Sequence, residues 1–154
     1  MQERDIRIDE VEFEDVPEEL LNNIVYALEE GKKILESATH GQSFAPFTAI
    51  VDGKNVLLEA HSSEDADGSF TKAKNKVKRT KDAKSYAFCY DGFVETEDGE
   101  EDAIISEGGL AGETQGFAIS MPYVKSGSDT AGTVKYSFDA GMVFLGEAPN
   151  FFTE

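Results

Sequence analysis

Eight consecutive residues, Phe44 to Val51, are apolar with the single exception of Thr48. The run is too short for a buried helix and rich in β-formers, so it predicts a strand. Neither parity of that strand is polar, so both of its faces must be covered. The chain therefore has to place material on two sides of a sheet. Pro46 has no N–H to donate to a ladder, and regular pairing is expected to begin after it. Asp52-Gly53 then signals a tight turn, and Asn55 to Ala60 returns as the second strand of a hairpin.

Two helices flank this hairpin. The first is expected to start near Pro17, with Asp15 as cap and Glu18 and Glu19 at the positive helix end. Leu21, Ile24, Val25, Leu28 and Leu35 repeat at helical spacing. Gly31 keeps the phase of that stripe but lowers helix propensity by about 1 kcal/mol relative to Ala, so a bend or break is expected there. Gly41 suits the C-terminal cap. The second helix is expected from Ser63 or Asp65 to Thr80, with Phe70, Ala73 and Val77 as a narrow apolar stripe. Residues 1–15 are charge-rich around a short Ile6-Arg7-Ile8 alternation and are read as an extended arm or edge strand.

From Ser85 the pattern is β. Tyr86, Phe88 and Tyr90 alternate with Ala87 and Cys89, and Asp91-Gly92 suggests a bulge before Phe93 and Val94. Glu97 to Glu100 marks a second hairpin, from which Ala103 to Ser106 returns. Gly108, Gly109 and Gly112 are read as a mobile connection. Phe117, Ile119, Met121 and Tyr123 alternate strictly, Ser126 to Asp129 reads as a loop, and Val134, Tyr136 and Phe138 alternate again. Gly141 breaks phase before Met142 to Leu145, and Phe151-Phe152 close the chain as exposed or docked aromatics.

The resulting order is α-β-β-α-β-β-β-β. Short turns imply antiparallel neighbours, and only the step around the second helix admits a crossover. The expected fold is a single α+β domain over residues 16–154, with a mostly antiparallel sheet of about six strands and two helices on one face. In that arrangement the other face needs either more of the same chain or a second copy. A homodimer is expected, because large bare apolar patches are rare on monomers.

Charge excludes some partners. The chain carries 14 basic and 31 acidic residues, a net charge of −17. Residues 1–63 hold 14 acids and 5 bases, residues 64–90 hold 4 acids and 7 bases, and residues 91–154 hold 13 acids and 2 bases. Such a surface repels nucleic acid and anionic membranes. No run reaches the roughly 20 apolar residues of a membrane span, and the first fifteen residues lack the apolar core of a signal peptide. With a lone cysteine, this composition is read as cytoplasmic.

No catalytic, cofactor or metal motif emerges. Cys89 with His61 or His40 is the only thiol–imidazole combination available, and Cys89 sits in mid-strand as a small hydrophobe. Ser63, Asp65, Asp67 and Gly68 mimic the opening of a calcium loop, but Lys74 stands where the closing glutamate is required, and helix capping accounts for these acids. The acids between Glu95 and Asp102 read as a solvated hairpin. The glycines at 108, 109, 112 and 116 fit no phosphate-binding motif.

The feature with positive content is the basic second helix. Lys72, Lys76 and Arg79 are the residues expected to contact an anionic ligand or acidic partner, unless they only pair with this protein's own acids. The functional expectation is a non-catalytic interaction module. Two alternatives stand beside it: a small enzyme built from scattered carboxylates and tyrosines, and an acidic decoy of a nucleic-acid-binding protein.

Overall fold

In the computed structural model of the protein, which describes residues 13–37, 44–53, 55–96, 99–128, 134–138 and 141–153, two α-helices pack on a six-stranded antiparallel sheet. A 3₁₀ turn at Phe13–Asp15 leads into α1 (Glu18–Ser37). The hairpin β1 (Phe47–Val51) and β2 (Val56–Ala60) follows, then α2 (Ala66–Arg79). The rest is β3 (Ser85–Thr96), β4 (Gly99–Leu110), β5 (Gln115–Pro122), β6 (Val124–Ser128), β7 (Val134–Ser137) and β8 (Val143–Pro149). The sheet order is β2-β1-β3-β4-β5-β8, and β6 and β7 form a separate ribbon. The N-terminal arm expected over residues 1–15 lies outside the described residues except for Phe13–Asp15. So do His40 and the helix cap expected at Gly41.

The apolar run becomes β1, beginning after Pro46, with Thr48, Ala49 and Ile50 all fully buried. It lies one strand in from the edge, and both faces are covered as its pattern requires. The two helices do not share a face, contrary to the one-face arrangement. Ala49, Ala87, Cys89, Ile104 and Ile119 pack under Ile24 and Leu28 of α1. Ile50, Tyr86, Phe88, Tyr90 and Ile105 pack on the opposite side with Ala73 and Val77 of α2. Size explains the division. Ala49, Ala87 and Cys89 let the long helix approach closely, while the bulky Tyr86, Phe88 and Tyr90 of β3 need their own cover. β2 and β3 both run antiparallel to β1, so the connection through α2 crosses β1 and supplies that cover.

Helix α1 runs unbroken through Gly31. A Cβ there would lie 3.0 Å from Cys89 Sγ and 3.1 Å from Ile104 Cγ2. The glycine leaves room for the sheet side chains beneath it, and it introduces no break. The expected bulge at Asp91-Gly92 is also absent. The β3–β4 register is continuous from Ser85↔Leu110 to Thr96↔Gly99, with Asp91 opposite Ile104 and Gly92 opposite Ala103. Gly108 and Gly109 belong to β4 and form no mobile connection. A Cβ on Gly108 would collide with the Tyr86 carbonyl, and one on Gly109 would lie 2.6 Å from Asn150 Cγ. Only Gly112, at φ +91°, sits in the turn. Residues 126–128, expected in a loop, continue β6 against β7.

The C-terminal aromatics complete the second face. Phe151 is fully buried and stacks on Tyr86 at 4.6 Å between ring centroids. Its N–H donates to Tyr86 Oη at 2.9 Å. Asn150 fixes the approach, donating through Nδ2 to Leu110 O and Glu113 O at 3.0 Å each and accepting from Phe152 N–H. The chain's own tail thus covers much of the bulky parity that α2 leaves open.

Candidate functional site at the β2 edge

The two edges of the sheet differ. At β8, the register shifts against β5 between Ala118 and Ile119, Gly146 has φ +132°, and the strand ends in Pro149. Bulges, kinks and prolines of this kind disfavour pairing with another chain. β2 has none of them. Val56, Leu57 and Leu58 are 45%, 40% and 48% exposed, and Glu59 and Ala60 are exposed as well. Three adjacent large apolar residues are exposed on the strand that closes the sheet, an edge that no described strand covers.

The register defines what this edge presents. His61 N–H donates to Pro46 O at 2.7 Å, and Asp52 N–H to Asn55 O at 3.1 Å. Antiparallel alternation therefore points the backbone groups of Leu57 and Glu59 toward β1 and those of Val56, Leu58 and Ala60 away from the sheet. Among the described residues no strand pairs with that outer side. The side chains divide by parity. Leu57 and Glu59, opposite Ile50 and Thr48, lie on the α2 face; Val56, Leu58 and Ala60 lie on the α1 face.

The α2 face beside this edge is polar. Asp65 caps the helix by accepting from Gly68 N–H at 2.7 Å, which fits the capping expected of the 64–67 acids. Ser69, Ala73 and Val77 point into the sheet. Lys72, Lys76 and Arg79 repeat at i, i+4 and i+7, so they form one stripe flanking that buried line. The stripe turns toward β2: Lys76 Nζ is 3.6 Å from Glu59 Oε1, and Lys72 Nζ donates to Ser62 O at 2.6 Å. Arg79 Nε donates to Asn75 O at 3.2 Å. Helical phase puts all three expected contact residues on one side of α2, and the contacts of Lys72 and Lys76 turn that side toward the sheet edge.

His61 sits at the end of β2 and only 4% exposed. Its Nε2 is 2.8 Å from Thr48 Oγ1, and its Nδ1 is 3.7 Å from Glu59 Oε2. Burial lowers its pKa below the ordinary imidazole range; Lys76 and Lys72 lower it further, and Glu59 opposes them. The order of hydroxyl, imidazole and carboxylate resembles a nucleophile relay in outline. Thr48 is fully buried, however, and the carboxylate stands beyond hydrogen-bond reach. The arrangement is suited to holding a neutral imidazole between β1 and β2.

Two tyrosine–carboxylate pairs occupy opposite faces elsewhere in the sheet. Tyr90 Oη donates to the fully buried Glu107 at 3.0 Å, and Tyr123 Oη donates to Asp91 at 2.6 Å. Burial and Asp91 raise the Tyr123 pKa and also that of Tyr136, whose ring lies 5.4 Å from Tyr123. Cys89 is buried, and burial with Asp91 pushes its thiol pKa well up, the reverse of what a reactive thiol requires. Among the described residues no three His, Cys, Asp or Glu side chains gather as a metal would need, and no helix is long and apolar enough to cross a membrane.

Sequence reasoning picked the cationic stripe and missed the edge. Loss of alternation in Val56-Leu57-Leu58 was no signal by itself, since the doubly covered β1 shows it too; only the sheet order puts β2 outermost. The His61 contacts are cross-strand and follow from register alone. No protein-family model matches the chain, and no curated protein or solved structure matches it either.

Proposed function

We propose that the chain is a non-catalytic interaction module of the cytoplasm, whose docking element is the outer edge of β2. An extended segment of another protein adds there as a further strand. The observation that carries the reading is the exposure of Val56, Leu57 and Leu58 on a strand whose outward backbone groups are unpaired by any described strand. An added strand would satisfy those groups and bury the apolar side chains together. The polar groups that could do chemistry support a non-catalytic role, since Thr48, His61, Glu107 and Cys89 are all buried. The single buried thiol fits a reducing compartment. The charge of −17 argues against nucleic acid as the partner.

The test uses fluorescein-labelled ten-residue peptides in which valine alternates with a polar residue, titrated with the whole protein by anisotropy. At least one peptide should bind saturably. Leu58→Lys, which places a charge on the edge, and Leu58→Pro, which removes an N–H pointing away from β1, should each weaken it by about tenfold or more. Both variants should keep the parent circular dichroism spectrum. No binding by any peptide, or binding indifferent to both substitutions, would overturn the proposal. Homodimerisation, with β2 pairing to β2 of a second copy, is the competing occupant. A dimer in sedimentation that Leu58→Lys dissolves would assign the edge to that second copy instead.

A further inference from the structure

From the side-chain parity and charge around β2 we infer the chemistry of the added segment: it alternates acidic and apolar residues, its carboxylates lying beneath α2. This inference rests on the strand-addition reading. A strand paired with β2 continues the two faces of the sheet, one residue in two on each. On the α1 face its neighbours are Val56, Leu58 and Ala60, so apolar side chains fit there. On the α2 face its neighbours are Leu57 and Glu59, overlooked by Lys72, Lys76 and Arg79. Three cations stand against one carboxylate, and that carboxylate is already engaged by Lys76 and faces His61.

The reach is sufficient. Lys76 Nζ already meets a β2 side chain, and the next strand lies about 4.8 Å further out. That step is within the Debye length of about 8 Å at physiological ionic strength, so the local stripe outweighs the distant acids that dominate the net charge. The same charge disfavours a second copy. A two-fold axis normal to the sheet at this edge, which pairs the two β2 strands antiparallel, would bring both α2 stripes to the same face, cation against cation. It would also join two chains of −17 each.

Three peptides decide the matter: ten-residue, fluorescein-labelled, with valine alternating with glutamate, serine or lysine. At physiological ionic strength the glutamate peptide should bind about tenfold tighter than the serine peptide, and the lysine peptide weakest. The triple reversal Lys72→Glu, Lys76→Glu, Arg79→Glu should abolish or invert that order while the serine peptide still binds. Should the triple variant fail to fold, Lys72→Gln with Arg79→Gln, which leaves the Lys76–Glu59 pair intact, should still narrow the gap between the glutamate and serine peptides. Equal binding of glutamate and serine peptides would overturn this inference and leave strand addition standing. So would a preference for the lysine peptide, or a glutamate preference that survives both sets of substitutions. Failure of all three peptides would overturn strand addition itself, and this inference with it.

Discussion

Replacing Gly31 by alanine sets two effects against each other at one atom. In an isolated helix the change is favourable by about 1 kcal/mol, because glycine loses more backbone entropy. Here the added Cβ would stand 3.0 Å from Cys89 Sγ and 3.1 Å from Ile104 Cγ2, inside ordinary contact distance. Cys89 and Ile104 are fully buried on paired strands and have little room to retreat. Overpacking of this kind costs about 1–3 kcal/mol, so the net effect is a loss of about 0–2 kcal/mol. For a chain of this size that is a fall of up to about 8 °C in Tm. Urea unfolding gives the free energy directly. Cys89→Ala removes the nearer obstacle, so Gly31→Ala should be neutral or stabilising in that background, with a coupling of about 0.5 kcal/mol or more between the two sites. A gain of about 1 kcal/mol from Gly31→Ala alone, with no coupling, would refute the close approach of α1 to β3.

Phe151→Ala should cost about 3–5 kcal/mol, since it removes a buried ring stacked on Tyr86, while the half-buried Phe152→Ala should cost clearly less; equal effects in thermal unfolding would contradict the docking of the tail. His61 has a folded pKa below its unfolded value of about 6.5, so the unfolded chain binds more protons and the native state loses stability as pH falls below about 6.5. His61→Gln, which cannot take up that proton amid Lys72, Lys76 and Glu59, should flatten the decline in urea midpoint between pH 8 and pH 5; parallel slopes would reject the assignment. Cys89 should resist thiol reagents until the protein unfolds, and rapid labelling of the native state would contradict its packing.

What could be read in the sequence was mostly local. Asp52-Gly53 and the Phe70, Ala73 and Val77 stripe marked a hairpin and a helix because turn chemistry and helical period act over a few residues. The missed features depend on what lies across a gap. Asp91-Gly92 carries a turn signal, yet the pairing of β3 with β4 continues through it without a shift. Gly31, Gly108 and Gly109 look like interruptions from within the chain, whereas each makes room for a neighbour distant in sequence. The double-sided apolarity of β1 already demanded cover on both faces. That demand was assigned to a second copy because the crossover of α2 and the docking of Phe151 are invisible without register. The β2 edge was missed for the same reason. Val56-Leu57-Leu58 reads as an ordinary return strand until the sheet order puts it outermost. Lys72, Lys76 and Arg79, by contrast, were singled out from the basic composition of the second helix, and the contacts of Lys72 and Lys76 turn that stripe toward the edge.

Amide hydrogen exchange along β2, residue by residue, tests strand addition most directly. In the free protein the N–H groups of Val56, Leu58 and Ala60 point away from β1 and should exchange fast, while those of Leu57 and Glu59, which point toward β1, should be slower. Saturation with the valine–glutamate peptide should slow the three outward amides and leave Leu57 and Glu59 little changed. Outward amides already protected in the free protein, or exchanging just as fast at saturation, would contradict the assignment of the β2 edge as the docking element.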